Sequence, residues 1–181
     1  MPTWSSRILG LTKMGGAAIA AILMLAGCVE SSKPLITSAP PLIGERFEVH
    51  LYESFVENKA SHFHTAVYQW SEGQYIRASG LASDAKRFVA EPLAGTDFIL
   101  QSTDENGKRF VFWIGRKLSD GVYQIFALNA EDADEAILSA MCSKETTDLC
   151  RITSHEQLVA MARATVAKPV RDPAVAVLVS K

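Results

Sequence analysis

Phe47, Val49 and Leu51 alternate with Glu48, His50 and Tyr52, the two-residue period of a strand with one buried and one wet face. Comparable runs recur near residues 65–70, 74–79 and 86–92, then over 97–103, 108–116 and 122–128. Glycine-containing pairs stand between several of them: Glu72-Gly73, Asn106-Gly107 and Asp120-Gly121. The last two are strong hairpin signals, because a type I′ turn needs positive φ at both central residues and these pairs accept it most readily. An antiparallel meander is therefore predicted from Gly44 to Asn129. Phe110 to Ile114 is apolar on both faces, so that strand belongs in mid-sheet under double cover, or in a barrel wall with a protected outer face. Residues 70–75 and 118–123 share the order Ser, acid, Gly, any residue, Tyr, which reads as two hairpins solving one turn problem rather than as a duplicated repeat.

Beyond Asn129 the period lengthens. Glu131-Asp-Ala-Asp-Glu135 followed by Ala136, Ile137, Leu138 and Met141 predicts a short helix with acids in its first turn, where the macrodipole favours them. Ser154-His-Glu-Gln157 is a capping-box pattern, and Leu158, Met161, Ala162 and Val166 then mark one face of a second helix, which Pro169 ends. Ala174 to Val179 reads as one further strand or a loose tail. The predicted fold is α+β: an antiparallel β-meander sheet of about six or seven strands, open or barrel-like, with two C-terminal helices on one face or end.

The chain has 181 residues, 48% hydrophobic and 21% charged, with a formal net charge of −2. That composition is globular, and it excludes both a disordered tail and a strongly basic nucleic-acid binder. The first thirty residues depart from it. Arg7 and Lys13 precede an uncharged run from Met14 to Leu25, then Ala26, Gly27 and Cys28, which is the order of a secretory signal. As a helix this run rises only about 18 Å, well short of a hydrocarbon layer of about 30 Å. Removing residues 1–27 takes away two basic residues and no acid, leaving 16 basic against 20 acidic and a net charge of −4.

Leu25-Ala26-Gly27-Cys28 resembles the lipobox of bacterial lipoproteins in all four positions. The resemblance implies that the leader is cut before Cys28, that the Cys28 thiol becomes a diacylglyceryl thioether, and that the new amino group is often acylated too. It covers the leader and says nothing of the fold. One acyl chain holds a protein to a bilayer only marginally, whereas two or three hold it stably. The partner so implied is the lipid bilayer, and the location is the cell envelope. Val29 stands where an Asp would retain a Gram-negative member at the inner membrane, so in a host with an outer membrane the resemblance favours that membrane, facing the periplasm. The domain plan that follows is a leader over 1–27, Cys28 with a flexible tether over 28–41, one β-rich domain over 42–168, and a tail or extra strand over 169–181. The tether reading rests on the polar, proline-bearing run Val29 to Pro41, which would extend some 40 Å at about 3.1 Å per residue.

With Cys28 taken by lipid, Cys142 and Cys150 remain as an even pair in an oxidising compartment and are expected to form a disulfide. On the loop-closure model a ring of about nine residues contributes roughly 2.6 kcal/mol.

Chemistry is sparse. There is no Gly-x-Ser-x-Gly elbow, no glycine-rich phosphate loop and no His-Glu-x-x-His helix, so no catalytic residue, cofactor or metal site is assigned. His62 and His64, with His50 or Glu57 as a third ligand, lack a distinctive metal spacing. Asp104 to Gly107 and Glu131 to Glu135 lack the twelve-residue calcium loop. Tyr68, Trp70, Tyr75, Trp113 and Tyr123 either form a binding wall or, more in keeping with strand aromatics, core. The expected function is non-enzymatic binding or scaffolding of another envelope component, a protein or the cell wall, with no nucleic-acid partner. The competing expectation is a small-ligand carrier or enzyme with a pocket in the sheet, for lipid or peptidoglycan fragments.

Overall fold

The computed structural model describes residues 28–52, 62–81, 85–103, 108–128, 130, 133, 135–141, 149–170 and 174–180, the side chains of 28, 62–64, 140, 141, 149 and 180 excepted. Its elements are β1 (Cys28–Ser31), β2 (Arg46–Tyr52), β3 (His62–Ser71), β4 (Gln74–Ser79), β5 (Arg87–Ala94), β6 (Asp97–Thr103), β7 (Phe110–Ser119), β8 (Val122–Ala127), α1 (Glu135–Met141), β9 (Leu149–Arg151), α2 (His155–Val166) and β10 (Ala174–Ser180).

Strands β2 to β8 pair antiparallel with their sequence neighbours, and β10 fills the remaining gap, antiparallel to both β8 and β2. Eight strands thus close into a barrel. The run at 174–180 is its closing strand rather than a tail. The count of six or seven strands is corrected to ten among the described residues, because β1 and β9 are too short to show a period of their own. They lie outside the barrel, with β1 antiparallel to the start of β7 and parallel to β9.

The alternation in each wall strand produces two cores. Phe47, Val49, Ala66, Tyr68, Tyr75, Ala90, Phe98 and Leu100 fill the barrel interior. Val89, Ile99, Phe112, Ile114 and Phe126 point outward and are covered by Leu158, Met161 and Ala162 of α2, with Val29, Cys150 and Ile152 beside them. Strand β7 therefore has the protected outer face that its double-sided pattern required. Helix α2 is fastened near both ends. Ser154 caps it with a complete capping box, and His155 Nε2 sits 2.8 Å from Glu91 Oε1 on β5. At its last turn Arg116 Nη2 donates to the Val166 carbonyl at 3.3 Å, while its Nε and Nη2 grip Asp97 at 2.6 and 3.1 Å.

The turns divide. Glu72 (φ 51°) and Gly73 (φ 84°) both take positive φ, so of the two described glycine pairs the weaker signal is the one with type I′ geometry. At Asp120-Gly121 only Gly121 does (φ 72°), so the expected two-residue hairpin between paired Ser119 and Val122 forms without type I′ geometry, and a bulge follows on from it in β7 between Lys117 and Ser119. Asn106-Gly107 lies outside the described residues. A further turn at Gly95 (φ 57°) and Thr96 joins β5 to β6 without having been anticipated.

The tether over 28–41 is corrected most. Val29, Glu30 and Ser31 are 1–3% exposed, and Ile36 is equally buried. Instead of extending into solvent, the chain between β1 and β2 forms a strap across the barrel wall. Gln101 Oε1 accepts from the backbone N–H groups of Leu35 (2.7 Å) and Ile36 (2.9 Å), and Gln101 Nε2 donates to the Ile36 carbonyl (2.7 Å). Farther on, the Ala39 N–H bonds to the Gly73 carbonyl at 3.0 Å and Trp70 Nε1 donates to the Ala39 carbonyl at 3.2 Å. The Ile43 N–H reaches the Tyr75 hydroxyl at 2.9 Å. Burial lifts the Tyr75 phenol above the ordinary tyrosine range, so it stays neutral at physiological pH.

Glu30, in the middle of β1, is a buried carboxylate held by Arg109 Nη1 (2.9 Å) and Arg151 Nη2 (3.2 Å) from the two flanking segments. Both guanidiniums are half exposed or more, so the solvent weakens each contact. Removing both strands one carboxylate in an apolar setting. An Arg109→Ala/Arg151→Ala chain is expected to lose about 2–3 kcal/mol in urea unfolding, and adding Glu30→Gln should restore at least half of it. An unchanged midpoint in the double variant would refute this account of β1.

Candidate functional site

Three places carry polar chemistry. The first is the edge formed by β1 and β9. Cys28 opens β1 opposite Leu149, and Val29 lies opposite Cys150. Cys150 is 1% exposed and disulfide-bonded. Its expected partner, Cys142, lies outside the described residues.

The second is the outer face of β2 and β3. His50 Nε2 contacts Glu48 Oε1 at 2.9 Å, and its Nδ1 lies 3.3 Å from Thr65 Oγ1 on the next strand. His50 and Thr65 are directly opposite in the ladder, which is why two residues fifteen apart meet. The order hydroxyl, imidazole, carboxylate echoes a nucleophile with its base. Here it sits on a convex wall, and the 3.3 Å contact is at the long end for a hydroxyl, so it serves as a cross-strand tie. His62 and His64 lie opposite Tyr52 and Leu51, their side chains outside the described set, as is Glu57. Among the described residues no three His, Cys, Asp or Glu side chains gather as a metal would require. Residues 104–107, 131, 132 and 134 of the two acidic runs are likewise outside it.

The third is an open cleft of about 300 Å³ on the wall, lined by Gln74, Ile76, Arg77, Lys86 and Arg87. It exists because β4 and β5 share only two residue pairs, Tyr75 with Phe88 and Ile76 with Arg87. One further bond, from the Arg77 N–H to the Lys86 carbonyl at 2.9 Å, holds the mouth before the strands part. The sequence reading did not find this cleft. Its only trace there is the doublet Lys86-Arg87 at the head of a strand, which acquires meaning once Ile76 and Arg77 are known to face it.

The aromatic residues belong to the barrel core. Tyr68 and Tyr75 are buried in it, and Trp70, Trp113 and Tyr123 pack against it. No family model, no curated protein and no solved structure matches the chain. Among the described residues no helix is long and apolar enough to cross a membrane. Aromatic side chains occupy the barrel interior, and the cleft opens on its outer wall.

Proposed function

We infer that this chain is a lipid-anchored envelope protein, held through acylated Cys28, whose barrel serves as a non-enzymatic binding or scaffolding module for another envelope component. The observation that carries the reading is the four-residue motif ending at Cys28. Because Val29 is already buried, the acyl chains leave directly from the domain edge. The domain then rests against the headgroups, with no 40 Å spacer between. In a Gram-negative host, Val29 in the position after the cysteine favours an outer-membrane position facing the periplasm.

The three cysteines make the reading testable by one measurement. Cys150 is bridged, so within one chain its partner is Cys142 or Cys28, and an acylated Cys28 leaves only Cys142. Mass spectrometry of the protein extracted from its native membrane is expected to show an N-terminus at Cys28, two or three acyl chains on it, and a Cys142–Cys150 linked peptide. A retained leader, an unacylated Cys28 or a Cys28–Cys150 link sinks the proposal.

A further inference from the structure

The stretches Trp70-Ser-Glu-Gly-Gln-Tyr75 and Leu118-Ser-Asp-Gly-Val-Tyr123 occupy equivalent places in the barrel. The wall runs β2, β3, β4, β5, β6, β7, β8 and β10 before it closes, so the β3–β4 and β7–β8 hairpins stand four strands apart, on opposite sides and at the same end. In each a serine pairs across a two-residue turn, Ser71 with Gln74 and Ser119 with Val122. Tyr75 lies in the barrel core and Tyr123 packs against it.

The likeness continues around the wall. Matching Tyr75 to Tyr123 matches their cross-strand partners, Trp70 to Lys117, and two residues earlier Tyr68 to Gly115. Those two face Phe47 and Phe98 on the preceding strands. In the other direction Tyr75 and Tyr123 face Phe88 and Ala176, which in turn face Ser102 and Leu51. The two routes meet on β2 and β6, and they agree: Phe47 to Phe98 and Leu51 to Ser102 are both steps of 51 residues. A one-residue slip at any seam would break that agreement and reverse the faces. Two backbone bonds beyond the ladders obey the same match, from the Trp70 N–H to the Glu45 carbonyl at 2.7 Å and from the Lys117 N–H to the Thr96 carbonyl at 3.0 Å. Even stagger in a closed barrel accounts for matching registers by itself. It does not account for the same serine, acid, glycine and tyrosine at the matching hairpins, or for an inward phenylalanine at both 47 and 98.

We propose that the barrel is two copies of one four-strand unit, β2 to β5 and β6 to β8 with β10, and that residues 128–173 are an insertion before the last strand of the second copy. The insertion stands where residues 80–86 link β4 to β5, and it carries α1, β9 and α2. Its presence explains where the copies diverge. Ile99 and Phe112 face outward in the core beneath α2, and their counterparts are the polar Glu48 and Thr65. Gln101, which holds the strap, corresponds to His50. Nothing in this match depends on the anchor at Cys28.

The two hairpins differ by one residue, and that makes the proposal testable. Tyr75 and its partner Trp70 are separated by four residues, Tyr123 and Lys117 by five, and the extra one is Leu118, 54% exposed in the bulge. A full-length chain lacking Leu118 acquires the spacing of the first copy. It is expected to unfold cooperatively with a melting temperature within about 5 °C of the parent. Its Asp120 should take the positive φ that Glu72 has and that Asp120 lacks in the parent, as read from backbone NMR couplings. The reciprocal chain, with a leucine added between Trp70 and Ser71, should also fold and should lose the positive φ at Glu72. A chain lacking Gln124, which is paired on both sides, sets the scale: its deletion turns the rest of β8 to the wrong faces and should abolish cooperative unfolding. Loss of the cooperative transition in either hairpin variant, or an unchanged sign of φ at Asp120 or Glu72, means that the two hairpins share turn chemistry alone and overturns the proposal.

Discussion

Gly115→Ala should destabilise the barrel by about 3 kcal/mol, at the upper end of what overpacking costs. Gly115 lies opposite Phe98 across the β6–β7 ladder, and the Phe98 ring lies over it. A methyl group built on Gly115 would fall 2.2 Å from two ring carbons and 2.9 Å from a third. The ring has little room to retreat, because it meets Tyr123 edge-on at 5.8 Å inside a filled interior. Urea midpoints of Gly115→Ala, Phe98→Leu and the double variant form the check. The double variant should be more stable than the sum of the two losses allows, by 1 kcal/mol or more, because the smaller side chain vacates the space the methyl needs. A Gly115→Ala loss below about 0.5 kcal/mol would show that the ring moves freely.

Gln101→Leu is expected to cost a similar amount for the opposite reason, a shortage of partners rather than of space. Gln101 is buried and makes three hydrogen bonds to the backbone at Leu35 and Ile36. Leucine fills much the same volume and offers none. Each backbone group left unpaired under cover costs about 1–3 kcal/mol, unless the strap lifts and finds water. The prediction is therefore double: a stability loss of about 3 kcal/mol, and faster amide exchange at Leu35, Ile36 and Ala39 than in the parent. Strap amides that remain as protected as before would contradict the role given to Gln101.

That strap also marks where sequence reading stops. The alternation at Phe47 to Leu51, the double-sided pattern at Phe110 to Ile114 and the Ser154 capping box are local, and each appears as read. Residues 29–41 carry three prolines and no period, which describes a linker equally well as a strap. What decides between them is a glutamine 65 residues away, bonding to backbone groups that any sequence possesses. The same holds for the cleft, where the unit is a register: Ile76 faces Arg87 only because two strands pair there and then separate. Barrel closure was open for a similar reason. An apolar run at 174–179 shows a strand, and its neighbours β2 and β8 are set by partners more than a hundred and about fifty residues upstream.

The position of β10 in the wall has a consequence for assembly. A polypeptide emerging from its amino end completes β2 early and β8 much later, yet neither edge is satisfied until the segment at 174–180 arrives between them. Until then two rows of backbone donors and acceptors stand open to any passing strand, and the interior aromatics have no complete enclosure. Loss of those seven residues would leave an open, sticky sheet rather than a smaller barrel, and a nascent chain needs shielding until that segment is free.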